Sequence, residues 1–369
     1  MELVIESLED VLPFIVPNTG IIHSEHDGYS VINYVYNMED TFDTAIAREC
    51  RGLKFASDGQ LIARPFHKFF NLGEKRPPQD EPWAQAHAVL DKLDGSMIHP
   101  AIVKGEMVFM TRMGVTEHGR TALRVATDGV RALARAMLDA GFTAIFEYTG
   151  PENRIIVSYG TTRLTLLAIR ETLTGRYLSL AEITKIAAKY EVPVVASLGT
   201  VSDVASFVRD ARALEGVEGY VIAFEDGHRV KIKADLYALQ HKAVSDIAEE
   251  KNLLALTVQG KLDDILPLLS NDVADKVRSY SDAVMTSVVR LEGEINGFVD
   301  AHQELERRDF AAKTQSEIAR PLQSVAFRAL DGTPPRQALL ELLDRATGSE
   351  TKVDAIRPIF GMTWEPPNT

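Results

Sequence analysis

A single cysteine, Cys50, stands in 369 residues, so an internal disulfide and a zinc site of several thiolates are both excluded. Nothing near Cys50 suggests a thiolate nucleophile, and it reads as a small core residue. No uninterrupted apolar stretch is long enough to span a bilayer. The start, Met1-Glu2-Leu3-Val4-Ile5-Glu6, lacks the basic residues of a signal peptide. These absences fit a reducing, cytoplasmic setting. Positive charge is also in deficit, with 40 Lys and Arg against 53 Asp and Glu, a net charge of −13. That balance does not exclude a nucleic-acid partner, because binding depends on local clusters. Such a cluster exists: Arg48, Arg51, Lys54, Arg64, His67, Lys68, Lys75 and Arg76 crowd one N-terminal region.

The chain is long enough for two domains, and 45% hydrophobic content supplies a sizeable core. Up to about residue 243 it reads as mixed α and β. Strand patterns cover Tyr29–Tyr36, Gln60–Arg64, Met107–Thr111, Ala144–Tyr148, Leu164–Ile169, Gly219–Phe224 and Arg229–Ile232. Asp58-Gly59 and Asp226-Gly227 are hairpin turns, so the spacing predicts an antiparallel sheet. Helices are expected over Glu117–Ala140, over Leu180–Tyr190, and from a Ser202 or Asp203 cap to about Leu214. From residue 244 to 369 the period is helical throughout. Val273, Val277, Tyr280, Val284, Val288, Leu291, Ile295, Phe298, His302 and Leu305 mark one long amphipathic helix. Gly293 and Gly297 lie inside it, which predicts close packing of another element there. Shorter helices are expected at Ser245–Leu256, Leu262–Leu269 and Pro335–Ala346, before an irregular tail, Trp364–Thr369. The fold class is therefore α+β, an antiparallel-sheet domain over 1–243 followed by an all-helical domain over 244–369.

Four clusters carry chemistry. The first is Asp91-Lys92-Leu93-Asp94-Gly95-Ser96, which displays a lysine at the end of the apolar run Ala88-Val89-Leu90. A lysine attacks only when unprotonated, and its ordinary pKa is about 10.4. Holding it neutral at pH 7 costs roughly 4–5 kcal/mol unless cations or desolvation help. The motif is short enough to recur by chance, but it predicts positive groups gathered around Lys92. The second cluster is Glu218-Gly219-Tyr220-Val221-Ile222 with Val230-Lys231-Ile232-Lys233. Lys231 and Lys233 share one strand face and suit a polyphosphate, the alternative being a solvated edge strand. Glu218 can hold a divalent cation or stand as an ordinary surface residue. The third is Phe146-Glu147-Tyr148, where a carboxylate inside an apolar strand needs a ribose hydroxyl, a metal-bound water or a basic partner. A structural salt bridge, for instance to Arg154, is the plainer account. The fourth sets Glu49-Cys50-Arg51-Gly52-Leu53 before Arg64-Pro65-Phe66-His67-Lys68-Phe69-Phe70-Asn71-Leu72, basic residues among aromatics that could equally be a solvated loop.

Taken in order, the clusters resemble the covalent nucleotidyltransferases, and within them the bacteriophage-type RNA ligase 1 family. The likeness rests on Glu-Cys-Arg-Gly at 49–52, Arg-Pro-x-x-Lys-Phe-Phe-Asn-Leu at 64–72 and Lys-x-Asp-Gly-Ser at 92–96. It continues through Gly-Phe-Thr-Ala at 141–144, Asn-Arg-Ile at 153–155, Glu-Gly-Tyr-Val at 218–221 and Lys-Ile-Lys at 231–233. The resemblance implies an ATP-grasp-like nucleotidyltransferase domain in which Lys92 becomes a lysyl-adenylate, with Glu147, Glu218, Lys231 and Lys233 assisting. It implies ATP contacts from Tyr34, Arg51, Lys68, Phe70, Asp94, Gly95, Arg112, Glu147, Lys231 and Lys233. Arg112 stands where a phage member carries lysine. Metal, Mg²⁺ or Mn²⁺, is implied at Glu218 and at the acidic pair Asp263 and Asp264, for which an exposed helix face is the plainer reading. The implied substrate is RNA with 5′-phosphate and 3′-hydroxyl ends, tRNA among them, with an end-healing kinase-phosphatase as a possible partner. DNA ligases and mRNA capping enzymes share the lysine motif. They usually add a C-terminal β-barrel, which the helical period after residue 244 disfavours. A silent RNA-binding protein on the same fold would form no covalent adduct.

Overall fold

The computed structural model describes residues 3–16, 19–36, 38, 40–74 and 81–367. Lys75 and Arg76 of the basic cluster, and Asn368 and Thr369 of the tail, lie outside them. The chain divides into two compact units, Met1–Ala238 and Leu239–Thr369.

The first unit is built on β1 (Ile21–His26), β2 (Tyr29–Tyr34), β3 (Leu53–Ala56), β4 (Leu61–Ala63), β5 (Phe70–Asn71) and β6 (His87–Asp91). Then follow β7 (Ser96–Val103), β8 (Glu106–Met110), β9 (Phe142–Thr149), β10 (Arg163–Glu171), β11 (Ser197–Gly199), β12 (Gly219–Phe224) and β13 (Arg229–Lys233). They form three sheets, in the orders β1-β2-β3-β4, β10-β9-β7-β8 and β11-β6-β12-β13-β5. Pairing is antiparallel, as the hairpin turns predict, except that β5 lies parallel to β13. The helices of this unit are α1 (Ala45–Glu49), α2 (Glu117–Val125), α3 (Asp128–Asp139), α4 (Leu180–Lys189) and α5 (Val204–Arg212). The single helix expected over Glu117–Ala140 is two, because the Thr127 hydroxyl accepts from Val130 N and starts a new helix after the extended Ala126. Asp203 caps α5 as expected. Helices α2, α3 and α4 bury Ala122, Leu133 and Ile183 against Ile98, Phe146 and Leu166 of the second sheet. Cys50 is buried in the core of the first sheet, and burial pushes its thiol up to about 12, as an inert core residue requires.

Helix α6 (Asp235–Ala248) spans the boundary between the units. The second unit continues with α7 (Glu250–Val258), α8 (Leu262–Ile265), α9 (Asn271–His302), α10 (Arg307–Glu317), α11 (Gln323–Leu330), α12 (Pro335–Ala346) and α13 (Glu350–Phe360). No strand occurs among its described residues. The expected long amphipathic helix is α9, which buries Val277, Tyr280, Val284, Val288, Leu291, Ile295 and Phe298 and ends before Leu305. Its glycines are a correction. A Cβ at Gly293 or Gly297 would meet nothing within 4 Å, so no element packs closely there. The helix expected over Leu262–Leu269 gives way to a 3₁₀ turn at Leu266–Leu268, where Pro267 has no N–H to continue the ladder. None of the helices is long and apolar enough to cross a membrane, among the described residues.

Candidate active site

Strand register brings the sequence clusters together. β12 lies between β6 and β13, with Tyr220 opposite Asp91 and Gly219 opposite Lys233. Lys92, Glu218 and Lys233 therefore sit at one end of three adjacent strands, and Lys92 N donates to Gly219 O at 2.9 Å. Glycine is required at 219, with φ +133° and a would-be Cβ only 2.0 Å from Ile232 O. The chain then steps from β6 in the third sheet to β7 in the second through Lys92–Gly95. At Gly95 a Cβ would fall 2.3 Å from Tyr148 O of β9, so only glycine lets the turn lie this close to β9, the strand that carries Glu147.

Lys92 meets a carboxylate as well as neighbouring cations. Its Nζ lies 2.7 Å from Glu218 Oε1, and Lys233 Nζ lies 3.1 Å from the same oxygen. Glu218 is only 4% exposed, so one buried carboxylate joins the lysine of the turn to the end of β13. Lys231 belongs to the same cluster of cations. Burial, followed by Lys92, Lys68, Lys233 and Arg51, depresses its amine to about 7. A bound polyphosphate would supply the missing counter-charge and return a proton to Lys231. Binding of ATP or pyrophosphate should thus be accompanied by proton uptake at pH 8 and by much less at pH 6. Calorimetry in buffers of different ionisation heat measures it, and Lys231→Met should remove it.

Glu147 is buried in the middle of β9, opposite Met97 of β7. Burial pushes its carboxyl up to about 8. Lys92 and Arg51 oppose that rise, and the Glu218 and Asp94 carboxylates reinforce it. The folded protein therefore keeps a proton that the unfolded chain releases near pH 4.5, and stability falls as pH rises from about 4.5 to 8. Glu147→Gln should flatten that part of the curve, read by urea unfolding across the pH range. An unchanged slope would contradict the assignment.

Tyr34, Arg51, Lys68, Phe70 and Arg112 meet on one wall. Lys68 Nζ is 5.2 Å from the ring centroid of Tyr34, 5.1 Å from that of Phe42 and 5.4 Å from that of Phe70. The Arg112 guanidinium lies 4.4 Å from the Tyr34 centroid and donates to Tyr34 O. Burial would raise the Tyr34 phenol, but Arg51, Lys68 and Arg112 outweigh it and hold it below its ordinary value. Arg51 reaches Phe66 O at 3.4 Å and acts electrostatically on Glu147, Lys231 and Tyr34.

Asp94 is 1% exposed, and both of its oxygens are used within the protein. Oδ2 accepts from Ile156 N at 2.8 Å and Val157 N at 2.7 Å, and Oδ1 accepts from Tyr237 OH at 2.6 Å. Its own N donates to Tyr159 OH at 3.0 Å. Asp94 thus fastens the Lys92 turn to the 154–159 loop and to α6. Tyr159 and Tyr237 belong to no sequence cluster, and the position of Tyr237 one turn beyond Lys233 was the only available hint. Asn153, quoted in the sequence only as part of Asn-Arg-Ile, accepts from Ser96 Oγ and donates to Tyr148 O at 2.6 Å. Glu49 has the strongest unforeseen contacts, with Arg170 at 2.6 Å and Arg64 at 3.1 Å. Asp263 and Asp264 belong to the second unit, exposed in the first turn of α8. No group of three or more His, Cys, Asp or Glu arranged to hold a metal occurs among the described residues.

A lysine, two buried carboxylates and several further cations converging beside the same antiparallel strands define a site for a polyanion. The chain belongs to the RNA ligase family, whose model matches residues 49–237, just over half of the chain. A Thermovibrio ammonificans protein, provisionally named an RNA ligase, is 34% identical over 272 residues, covering 70% of this chain and 70% of its own. RNA ligase 1 of Bacteriophage TS2126 is 28% identical over 369 residues, covering 92% of this chain and 90% of the phage protein. A provisionally named bifunctional polynucleotide kinase/RNA ligase of Autographa californica nuclear polyhedrosis virus is 28% identical over 288 residues, or 71% of this chain and 40% of its own. Among solved structures, an archaeal ATP-dependent RNA ligase is similar at a TM-score of 0.47 and 20% identity, over 63% of this chain and 62% of that one.

Proposed function

We propose that this RNA ligase uses ATP to join a 5′-phosphate to a 3′-hydroxyl of RNA in three transfers. Lys92 Nζ attacks the α-phosphorus of ATP; an N–P bond forms, and the bond to pyrophosphate breaks. The AMP then passes to the RNA 5′-phosphate, and a 3′-hydroxyl displaces it. The observation that carries this reading is the contact of Lys92 with Glu218, and of Glu218 with Lys233, beside Lys231. The amine must shed its proton to attack, and Glu218 Oε1, at 2.7 Å, is the acceptor in place. Lys231, Lys233, Lys68 and Arg51 meet the charge of the phosphates, with Arg112 beside Tyr34. Phe70 helps to form the ring wall around Lys68, and Gly95 and Asp94 set the turn.

Two buried carboxylates that repel each other, Glu147 and Glu218, suit a divalent ion held by one or two carboxylates, phosphate oxygens and water. Mg²⁺ or Mn²⁺ there would neutralise charge on the phosphates. Glu147 also takes a ribose hydroxyl, a partner that would satisfy a buried carboxyl. The exposed Asp263–Asp264 pair is best read as a solvated helix face.

A tRNA-like substrate, broken in a loop, is the reading the family resemblance favours, and the helical unit over 239–369 is the candidate for recognising it. The viral relative joined to a polynucleotide kinase supports a partner that heals RNA ends before joining. A reducing cytoplasm suits a chain with one buried cysteine. End joining on a stem-loop nicked in its loop, compared with a nicked duplex, tests the substrate. The stem-loop should be joined faster, and preference for the duplex would overturn the reading in favour of a DNA ligase-like enzyme.

A further inference from the structure

Arg229 is 6% exposed, and its Nε has no hydrogen-bond partner. Its guanidinium lies beside a pair of stacked rings, 4.3 Å from the centroid of Tyr177 and 5.2 Å from that of Phe66. No ion pair to a carboxylate is found for it among the described residues. Burial depresses its pKa, Tyr177 opposes this, and the neighbouring charge is a second cation, Arg170. An arginine stays charged in a protein, so this is a buried cation without a counter-ion, an arrangement costly to an empty protein. It lines a cavity of about 220 Å³ together with Arg48 and Lys68. The carboxylates on the same wall are Asp43, which is exposed, and Glu81, which is held by His228 at 2.5 Å.

The strand explains what the cavity is for. Arg229, Lys231 and Lys233 alternate with the buried Val230 and Ile232 and so share one face of β13. At about 3.3 Å per residue the row runs roughly 13 Å along the strand. Lys233 is tied through Glu218 to Lys92 at one end, and Arg229 opens on the cavity at the other. A leaving group departs on the side opposite its attacker, and this row of cations leads away from Lys92. We propose that Arg229 and its cavity bind the pyrophosphate end of ATP and hold pyrophosphate as it leaves. The inference rests on Lys92 as the nucleotide acceptor. An RNA backbone phosphate offers the same chemistry, and the experiment separates the two.

Thermal unfolding of the full-length protein is followed with inorganic pyrophosphate, and separately with a 5′-phosphorylated oligoribonucleotide. Arg229→Met, which removes an unpaired buried charge, should fold at least as stably as the wild type without ligand. It should need at least about tenfold more pyrophosphate for the same rise in Tm, while its response to the oligoribonucleotide stays unchanged. Arg229→Lys, which keeps the charge and loses the fork, should fall between the two and serves if the methionine variant does not fold. Pyrophosphorolysis of the enzyme-bound adenylate should slow by a similar factor, since pyrophosphate is its attacking reagent. Equal pyrophosphate protection in wild type and variants would overturn the proposal. So would a loss confined to the oligoribonucleotide, which would assign the cavity to RNA. A wild type that forms no adduct on Lys92 would instead reject the underlying reaction, a separate outcome.

Discussion

Replacing Lys92 with alanine abolishes the covalent adduct with AMP, lowering its formation by at least about a thousandfold, measured with α-labelled ATP and Mg²⁺. The expected loss is this large because the lysine forms the bond, and no neighbour can take its place. Lys233 is held by the same Glu218 oxygen, and Lys231 lies two residues back along β13. The variant should still fold. Lys92 is partly exposed, and its removal leaves Glu218 paired with Lys233 at 3.1 Å, so no buried charge is orphaned. Lys92→Arg should fail equally, because a guanidinium does not give up its proton. RNA that already carries an activated 5′-adenylate bypasses the lysine. It should therefore still be joined by the alanine variant, which separates loss of the nucleophile from loss of the site.

The second large effect is on stability. Glu49 Oε1 lies 2.6 Å from Arg170 Nη2 and 3.1 Å from Arg64 Nη2, and all three side chains are buried. Burial alone would raise the Glu49 carboxyl, but Arg170 and Arg64 overcome it and bring it down to about 2. Glu49→Ala leaves two guanidinium groups buried without a counter-ion, at a cost of about 3–5 kcal/mol. Thermal or urea unfolding should show a drop in Tm on the order of 10 °C. Replacing Glu49, Arg64 and Arg170 together with apolar residues of similar volume should recover most of it, because the loss comes from unpaired charge. The sign with pH is the reverse of that for Glu147. Glu49 has its carboxyl depressed below the unfolded value of 4.5, so its contribution is complete above pH 4.5 and is lost as pH falls towards 2. Function should suffer too, because Lys68 N donates to Arg48 O, and Arg170 holds Pro65 O, tying the basic wall to this ion network.

Hairpin turns and alternation made most strands of the first unit legible in the sequence, and three-four periodicity made α9 legible almost residue by residue. The break at Thr127 was harder to see, because α2 and α3 keep one apolar face while a single capping hydroxyl separates them. Proximity in the site was legible only as motifs. That Lys92, Glu218 and Lys233 meet follows from the order β6-β12-β13, which joins residues over 140 positions apart, and no local pattern encodes that order. For the same reason the direct contact of Glu218 with Lys92 was not legible, nor that Lys231 shares the cations gathered near Lys92. The Glu49 network and the pinning of Asp94 by Tyr237 join polar residues far apart in the chain, Glu49 to Arg170 and Asp94 to Tyr237, and no local pattern shows which partner each one meets.

The most direct test of the central claim is to incubate the wild-type protein with ATP and a divalent metal, digest it, and locate AMP by mass spectrometry. The account predicts AMP on the peptide containing Lys92, joined through its Nζ by an acid-labile phosphoramidate bond. AMP on another residue, or no covalent AMP from a protein that joins RNA ends, would contradict it.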